Sequence, residues 1–172
     1  MIRAAVPADA EPWRRLRASL WPETPLAEHD TDIMRFFWSS ENDAACRVAE
    51  VDGTIVGFIE LAIRGYAEGC ETDRVGYVEG WYVDPAWRRR GVGRALMAAG
   101  EAWAQACGCR EFASDTTLGY AGGYAGGYAG GYPPGYQAHI ALGFTEVQRI
   151  VCYRKVLAPE PARRRAQPRV MA

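Results

Sequence analysis

Between Tyr77 and Ala98 the chain reads Tyr-Val-Glu-Gly-Trp-Tyr-Val-Asp-Pro-Ala-Trp-Arg-Arg-Arg-Gly-Val-Gly-Arg-Ala-Leu-Met-Ala, and two kinds of chemistry meet there. Arg88, Arg89, Arg90 and Arg94 surround Gly91, Val92 and Gly93 at the point where a helix can open. A helix N-terminus offers unpaired N–H groups and a positive dipole end, so an arginine-rich glycine loop leading into one suits a diphosphate. A Walker loop would need a Lys and a hydroxyl residue where Arg94 and Ala95 stand, and the dinucleotide fingerprint would need a small residue in place of Leu96. Glu79 is the second element. A lone acid in an otherwise aromatic and apolar strand can bind an ammonium group and take its proton. A half-exposed acid with a cross-strand Arg partner is the other reading of the same residue.

Two more groups could join that chemistry. Asp115, in Ala113-Ser114-Asp115-Thr116, falls at the end of a strand, where it can meet an amine or act as a loop Asp. Tyr153, in Cys152-Tyr153-Arg154-Lys155, can donate a phenolic proton or pack as a core tyrosine with a satisfied hydroxyl. The cysteines (Cys46, Cys70, Cys107, Cys109, Cys152) are odd in number, lack CxxC spacing and are accompanied by two His, so no metal site or disulfide framework is expected.

The elements that must hold these residues can be read from periodicity. Ile2 to Ala5 suits a strand, and Asp9 can cap a helix with Trp13, Leu16 and Leu20 as its stripe, ended by Trp21-Pro22. A second helical piece covers about Asp32 to Trp38, with Ile33, Phe36 and Phe37 buried. Cys46 to Val51 and Ile55 to Ile63 form a hairpin about Asp52-Gly53. The strand Tyr77 to Val83 leads through the glycine loop to a helix with a stripe of Val92, Leu96, Ala99, Trp103 and Ala106, closed by Gly108. A strand from Glu111 to Ser114, a short helix from Gln137 to Leu142 and a closing strand from Glu146 to Val156 follow. Strands and helices in this order predict an α/β (α+β) domain: a mixed, mostly antiparallel twisted sheet flanked by helices.

Composition bounds the rest. The 172 residues, 49% hydrophobic, suit one domain over residues 1–157, and the Pro- and Arg-rich residues 158–172 read as a disordered tail. Within the domain, residues 119–136 repeat Gly-Tyr-Ala-Gly, a low-complexity loop that is either a tandem expansion or a tyrosine lid. No apolar run approaches the ~20 residues of a membrane span, and no secretory signal opens the chain, so a cytoplasmic protein without membrane contact is expected. The net charge is −1, but the tail is basic and the body acidic, with carboxylates concentrated at Glu23–Asp43 and Glu60–Glu79. Such fields suit a cationic small molecule, and nucleic acid is not an expected partner.

The pattern Arg88-x-x-Gly91-x-Gly93, following a strand and an Asp-Pro turn, resembles the acyl-CoA loop of the Gcn5-related N-acetyltransferase (GNAT) family. Further motifs narrow the resemblance: Leu20-Trp21-Pro22, Glu79-Gly80, Cys109-Arg110-Glu111, Ala113-Ser114-Asp115-Thr116, Ala141-Leu142-Gly143-Phe144 and Tyr153-Arg154 are similar to those of the aminoglycoside 6′-N-acetyltransferases, almost to Val156. That resemblance implies acetyl-CoA as co-substrate, its diphosphate on residues 88–94 and its pantetheine arm along Trp81, Tyr82 and Val83. A strand N–H near Val83 would face the thioester oxygen. It further implies acceptor amines at Glu79 and Asp115, a sugar pocket bordered by Trp21 and Tyr66, Tyr153 as the acid, and a homodimer. A polyamine or peptide acetyltransferase and a non-catalytic acyl-CoA-binding module are the competing expectations. The Gly-Tyr insertion and the basic tail depart from the family pattern.

Overall fold

The computed structural model describes residues 1–39, 43–116 and 134–150. Its elements run β1 (Ile2–Ala4), α1 (Ala10–Leu20), α2 (Leu26–Trp38), β2 (Ala44–Val51), β3 (Thr54–Arg64), β4 (Val75–Val83), α3 (Val92–Ala106), β5 (Glu111–Ser114) and α4 (Pro134–Ala141). The five strands lie in sequence order in one sheet. All neighbours are antiparallel except β4 and β5, which are joined by the α3 crossover and therefore run parallel. The expected mixed sheet flanked by helices is thus observed.

The β2–β3 hairpin turns at Asp52 and Gly53, both at positive φ (48° and 75°), the backbone that a two-residue turn needs to match strand twist. β3 is apolar nearly throughout because both of its faces are covered. On one face Val56, Ile59 and Leu61 meet Leu96 and Met97 of α3. On the other, Ile55 and Phe58 meet Trp13 and Leu16 of α1 and Ile33 of α2.

Several expectations are corrected. Asp9 stands at the N-cap of α1 as expected but makes no capping bond; its carboxylate takes two Arg3 guanidinium nitrogens at 2.6 and 2.8 Å and the Val6 N–H. α2 begins at Leu26 after Pro25, about a turn and a half before the expected start. The buried face of α3 is Leu96, Met97, Gly100 and Ala104, while Ala106 is exposed, so the true stripe is rotated from the expected one. Residues 146–150 of the expected closing strand are not in the sheet, and the remainder of that strand, with Tyr153, lies outside the described residues. So do the tail and nearly all of the Gly-Tyr tract.

Candidate active site

β4 and β5 pair only from Val75↔Glu111 to Val78↔Ser114; β5 then ends while β4 continues to Val83. This leaves a fork with one bare strand edge. Asp84 N–H donates to Val56 O on the β3 side, so by alternation Val83 and Trp81 direct their amides toward the open side. Beyond the fork, Asp84 accepts a bond from Ala86 N–H at 2.9 Å and starts the turn that carries the chain to the glycine loop.

At the loop, Gly91 is the N-cap of α3 at φ 82°, a conformation that disfavours side chains, and no side chain caps the helix. The first-turn N–H groups therefore remain available. Gly93 serves a different purpose: a Cβ there would stand 2.8 Å from Trp81 Cζ2, so only glycine lets the first turn of α3 sit on the Trp81 ring. Arg88 is partly committed, with Nε donating to Val83 O at 2.9 Å and its guanidinium 5.3 Å over the Tyr82 ring. Arg90 lies 5.0 Å over Trp87, and Arg89 takes a positive φ of 59°.

On the opposite side of the same strand the register skips a residue: Glu60 pairs with Gly80 and Leu61 with Val78, leaving Glu79 as the extra residue of a β-bulge. The bulge turns the Glu79 carboxylate outward, where Arg64 binds both oxygens at 2.8 and 2.6 Å. The cross-strand Arg partner is therefore real. The Arg64 guanidinium in turn lies 3.4 Å over the Tyr77 ring, and Tyr77 OH donates to Asp115 Oδ1 at 2.6 Å. Burial, then the bond to Asp115, pushes the Tyr77 hydroxyl well above its ordinary pKa, so it stays a donor. Glu79 and Asp115 are thus joined through Arg64 and Tyr77, neither of which was singled out in the sequence.

Behind this pair lies a buried charge cluster. Arg17 Nη1 donates to both Glu60 oxygens at 2.7 and 2.8 Å, Nη2 to Asp32 at 2.9 Å and Nε to His29 Nδ1 at 3.3 Å. Burial raises the Glu60 carboxyl, while Arg17 and the Trp13 indole N–H, 2.7 Å away, pull it back. Trp21 stacks on His29 at 6.4 Å and 26°, and a Cβ on Gly80 would collide with its ring. Trp21 is accordingly held against the bulge strand. Tyr66, by contrast, is 67% exposed in the loop after β3. A cavity of about 450 Å³ lies between α3, β5 and residues 142–147, with Ser114 and Phe144 in its wall. Among the described residues no cluster of His, Cys, Asp or Glu is arranged to hold a metal, and no helix is long and apolar enough to cross a membrane.

Comparison with known proteins gives the same answer as the fork and the cradle. Residues 12–122 match the model of the acetyltransferase (GNAT) family. The chain belongs to this family. Among GNAT relatives it is 41% identical over 159 residues to aminoglycoside N(6′)-acetyltransferase type 1 of Klebsiella aerogenes, covering 91% of this chain and 97% of that one. The GNAT fold is matched by AAC(6′)-Iy in complex with the bisubstrate analogue CoA-S-monomethyl-acetylneamine (TM-score 0.76, 35% identity, 91% and 97% coverage). It is matched also by apo AAC(6′)-Ig of Acinetobacter haemolyticus (TM-score 0.78, 32% identity, 92% and 99% coverage).

Proposed function

We propose that this GNAT protein transfers an acetyl group from acetyl-CoA to the 6′-amine of an aminoglycoside, giving resistance. The observation that carries the reading is the fork itself: an open strand edge runs from an uncapped, glycine-lined helix N-terminus to two carboxylates. The 41% identity to an aminoglycoside N(6′)-acetyltransferase over nearly the full length supports the choice of acceptor.

Acetyl transfer needs an anchored donor, a polarised carbonyl, a neutral amine and a proton for the leaving thiolate. The N–H groups of residues 89–94 hold the diphosphate, and the pantetheine amides extend the sheet along β4. We place the thioester oxygen at Trp81 N–H rather than at Val83. Both face the open side, but Val83 sits at the cradle end with Arg88 on its carbonyl, whereas Trp81 is two residues from Glu79. Glu79 accepts the incoming ammonium and passes on its proton, so that a free electron pair can attack. Arg64 must yield for this to happen. The pair is half exposed (40% and 36%), the setting in which an ion pair contributes only about 0–1 kcal/mol, so a polycationic guest can replace it. Asp115 steadies a second amine, and Trp21 offers a fixed wall for a sugar ring. Tyr66 borders the pocket, and the family resemblance implies Tyr153 as an acid from the last part of the domain.

The enzyme acts in the cytoplasm, and as a homodimer, the assembly that the family resemblance implies; light scattering on the purified chain tests the assembly. Thiol release from acetyl-CoA with a kanamycin-type sugar, spermidine and a peptide amine tests the acceptor. The sugar should be turned over with the highest kcat/KM, and preference for spermidine or the peptide would replace this reading with another amine acceptor.

A further inference from the structure

α4 lies over the fork and brings a histidine to it. His139 Nδ1 stands 2.6 Å from the Gly135 carbonyl, one turn back in its own helix, and Nε2 stands 2.9 Å from Ser114 Oγ. The ring is edge-on to Trp81 at 5.9 Å and to Phe144 at 5.2 Å. Ser114 is the last β5 residue paired with β4. Under the proposed function, on which this inference rests, the arm of acetyl-CoA runs back along β4 from the cradle, and its sulfur arrives where these side chains meet.

We propose that Ser114 and His139 form a hydroxyl–imidazole pair that supplies the proton taken up by the departing thiolate. The hydrogen-bond partners dictate how the pair works. A carbonyl can only accept, so Nδ1 carries a hydrogen in every state. In the neutral ring Nε2 is then an acceptor, and the Ser114 hydroxyl hydrogen points into it. Once Nε2 gains a proton the bond reverses: Nε2–H donates to Oγ, and the hydroxyl hydrogen is released toward the fork. Both states keep both contacts, so the ring can load and unload a proton without breaking anything. Among the described residues the groups that contact it are uncharged: the Trp81 and Phe144 rings, the Ser114 hydroxyl and the Gly135 carbonyl. The nearest acid along β5, Asp115, is engaged by Tyr77.

In the step itself the amine electron pair forms the C–N bond and the C–S electron pair leaves on sulfur. Sulfur takes the Ser114 hydrogen as Nε2–H passes to Oγ, returning the ring to neutral. The amine loses its surplus protons through Glu79 to solvent, and solvent reloads the ring. Ser114 is the group that touches the sulfur, and His139 acts through it.

The test is the pH dependence of kcat with the whole chain, acetyl-CoA and a kanamycin-type acceptor, alongside calorimetry for acetyl-CoA. The parent should lose kcat on an alkaline limb as the ring deprotonates. Ser114→Ala and His139→Gln should each lower kcat by about 10²-fold and abolish that limb, with acetyl-CoA affinity within about threefold. Ser114→Thr, which keeps a hydroxyl, should recover most of the loss, and this Ala/Thr contrast decides the matter if His139→Gln does not fold. Parent-like kcat in Ser114→Ala, or a reduced kcat with the limb intact, would overturn the proposal and leave the pair as a brace for α4. Loss of the limb in Tyr153→Phe alone would overturn it in favour of the phenol. A parent that binds acetyl-CoA but acetylates no amine would instead refute the transferase reading, and the pair with it.

Discussion

The two halves of the cleft handle polar groups in opposite ways. On the acceptor side the charges are mated before any guest arrives: Arg17 holds Glu60, Asp32 and His29, Arg64 holds Glu79, and Tyr77 holds Asp115. On the donor side the β4 edge runs past the end of β5, and α3 opens with no side chain capping it. The difference follows from the ligands. Coenzyme A brings acceptors of its own and needs N–H groups left free for them. A polycation needs carboxylates, which would repel one another if left without a temporary partner.

If the buried half of the acceptor side is as tightly interlocked as its geometry implies, Arg17→Ala should be the most damaging change. It strands Glu60, whose side chain is 14% exposed, and should lower unfolding free energy by about 3–5 kcal/mol in denaturant titrations. Loss of less than 1 kcal/mol would mean the cluster is better hydrated than its geometry implies. Next comes Glu79→Gln, expected to cut kcat/KM for the aminoglycoside by about 10²-fold or more with acetyl-CoA binding intact. On the donor side, Gly91→Ala should weaken acetyl-CoA in calorimetry by several-fold, because a Cβ at φ 82° costs about 1–2 kcal/mol in the bound backbone. Equal weakening of the aminoglycoside would erase the distinction between the two halves. Arg64→Gln should be smallest at neutral pH, within about 1 kcal/mol in stability. A larger loss would show that Arg64 is structural and no placeholder.

Acid should expose a further asymmetry. Arg3 beside Asp9 holds that carboxyl below the usual carboxylate range, with burial opposing. Asp9 therefore stabilises the fold above its unfolded pKa of about 3.9, and the contribution disappears as pH falls through the lower folded value. A series of thermal midpoints should drop less steeply below about pH 4 in Asp9→Asn than in the parent.

How legible these features were depended on how local their causes are. The Asp52-Gly53 hairpin, the end of α3 at Gly108 and the strand leading into the glycine loop each rest on a few adjacent residues, and each was readable. The bulge at Glu79 was not, because it exists only in register with β3. Glu79 and Asp115 could be picked out as acids in unexpected places, but Arg64 and Tyr77 acquire their roles only through pairing across the sheet. Arg17 left a fainter trace, a charge at i+4 from Trp13 and i−4 from Trp21 on the apolar stripe of α1. The buried side of α3 is rotated from the stripe that spacing predicts, because spacing fixes the period of a helix but the sheet decides which side is covered. Gly100 and Ala104 are buried there together with Leu96 and Met97, and a Cβ on Gly100 would stand 3.1 Å from Leu61 and 3.3 Å from Phe112, so small residues let the helix approach the sheet closely.

The single unpaired residue in β4 sets a parity. Val78 and Trp81, three residues apart, both face the α3 layer, with Tyr82 on the α1–α2 layer, because Glu79 drops out of the pairing. A one-residue deletion there would restore regular pairing and keep these faces, whereas a one-residue insertion between Gly80 and Trp81 would turn the downstream strand over, sending the indole toward α1 and the phenol toward Gly93. Within β4 a one-residue loss should therefore be tolerated only at the bulge, and other length changes should accumulate in the connections on either side of the strand.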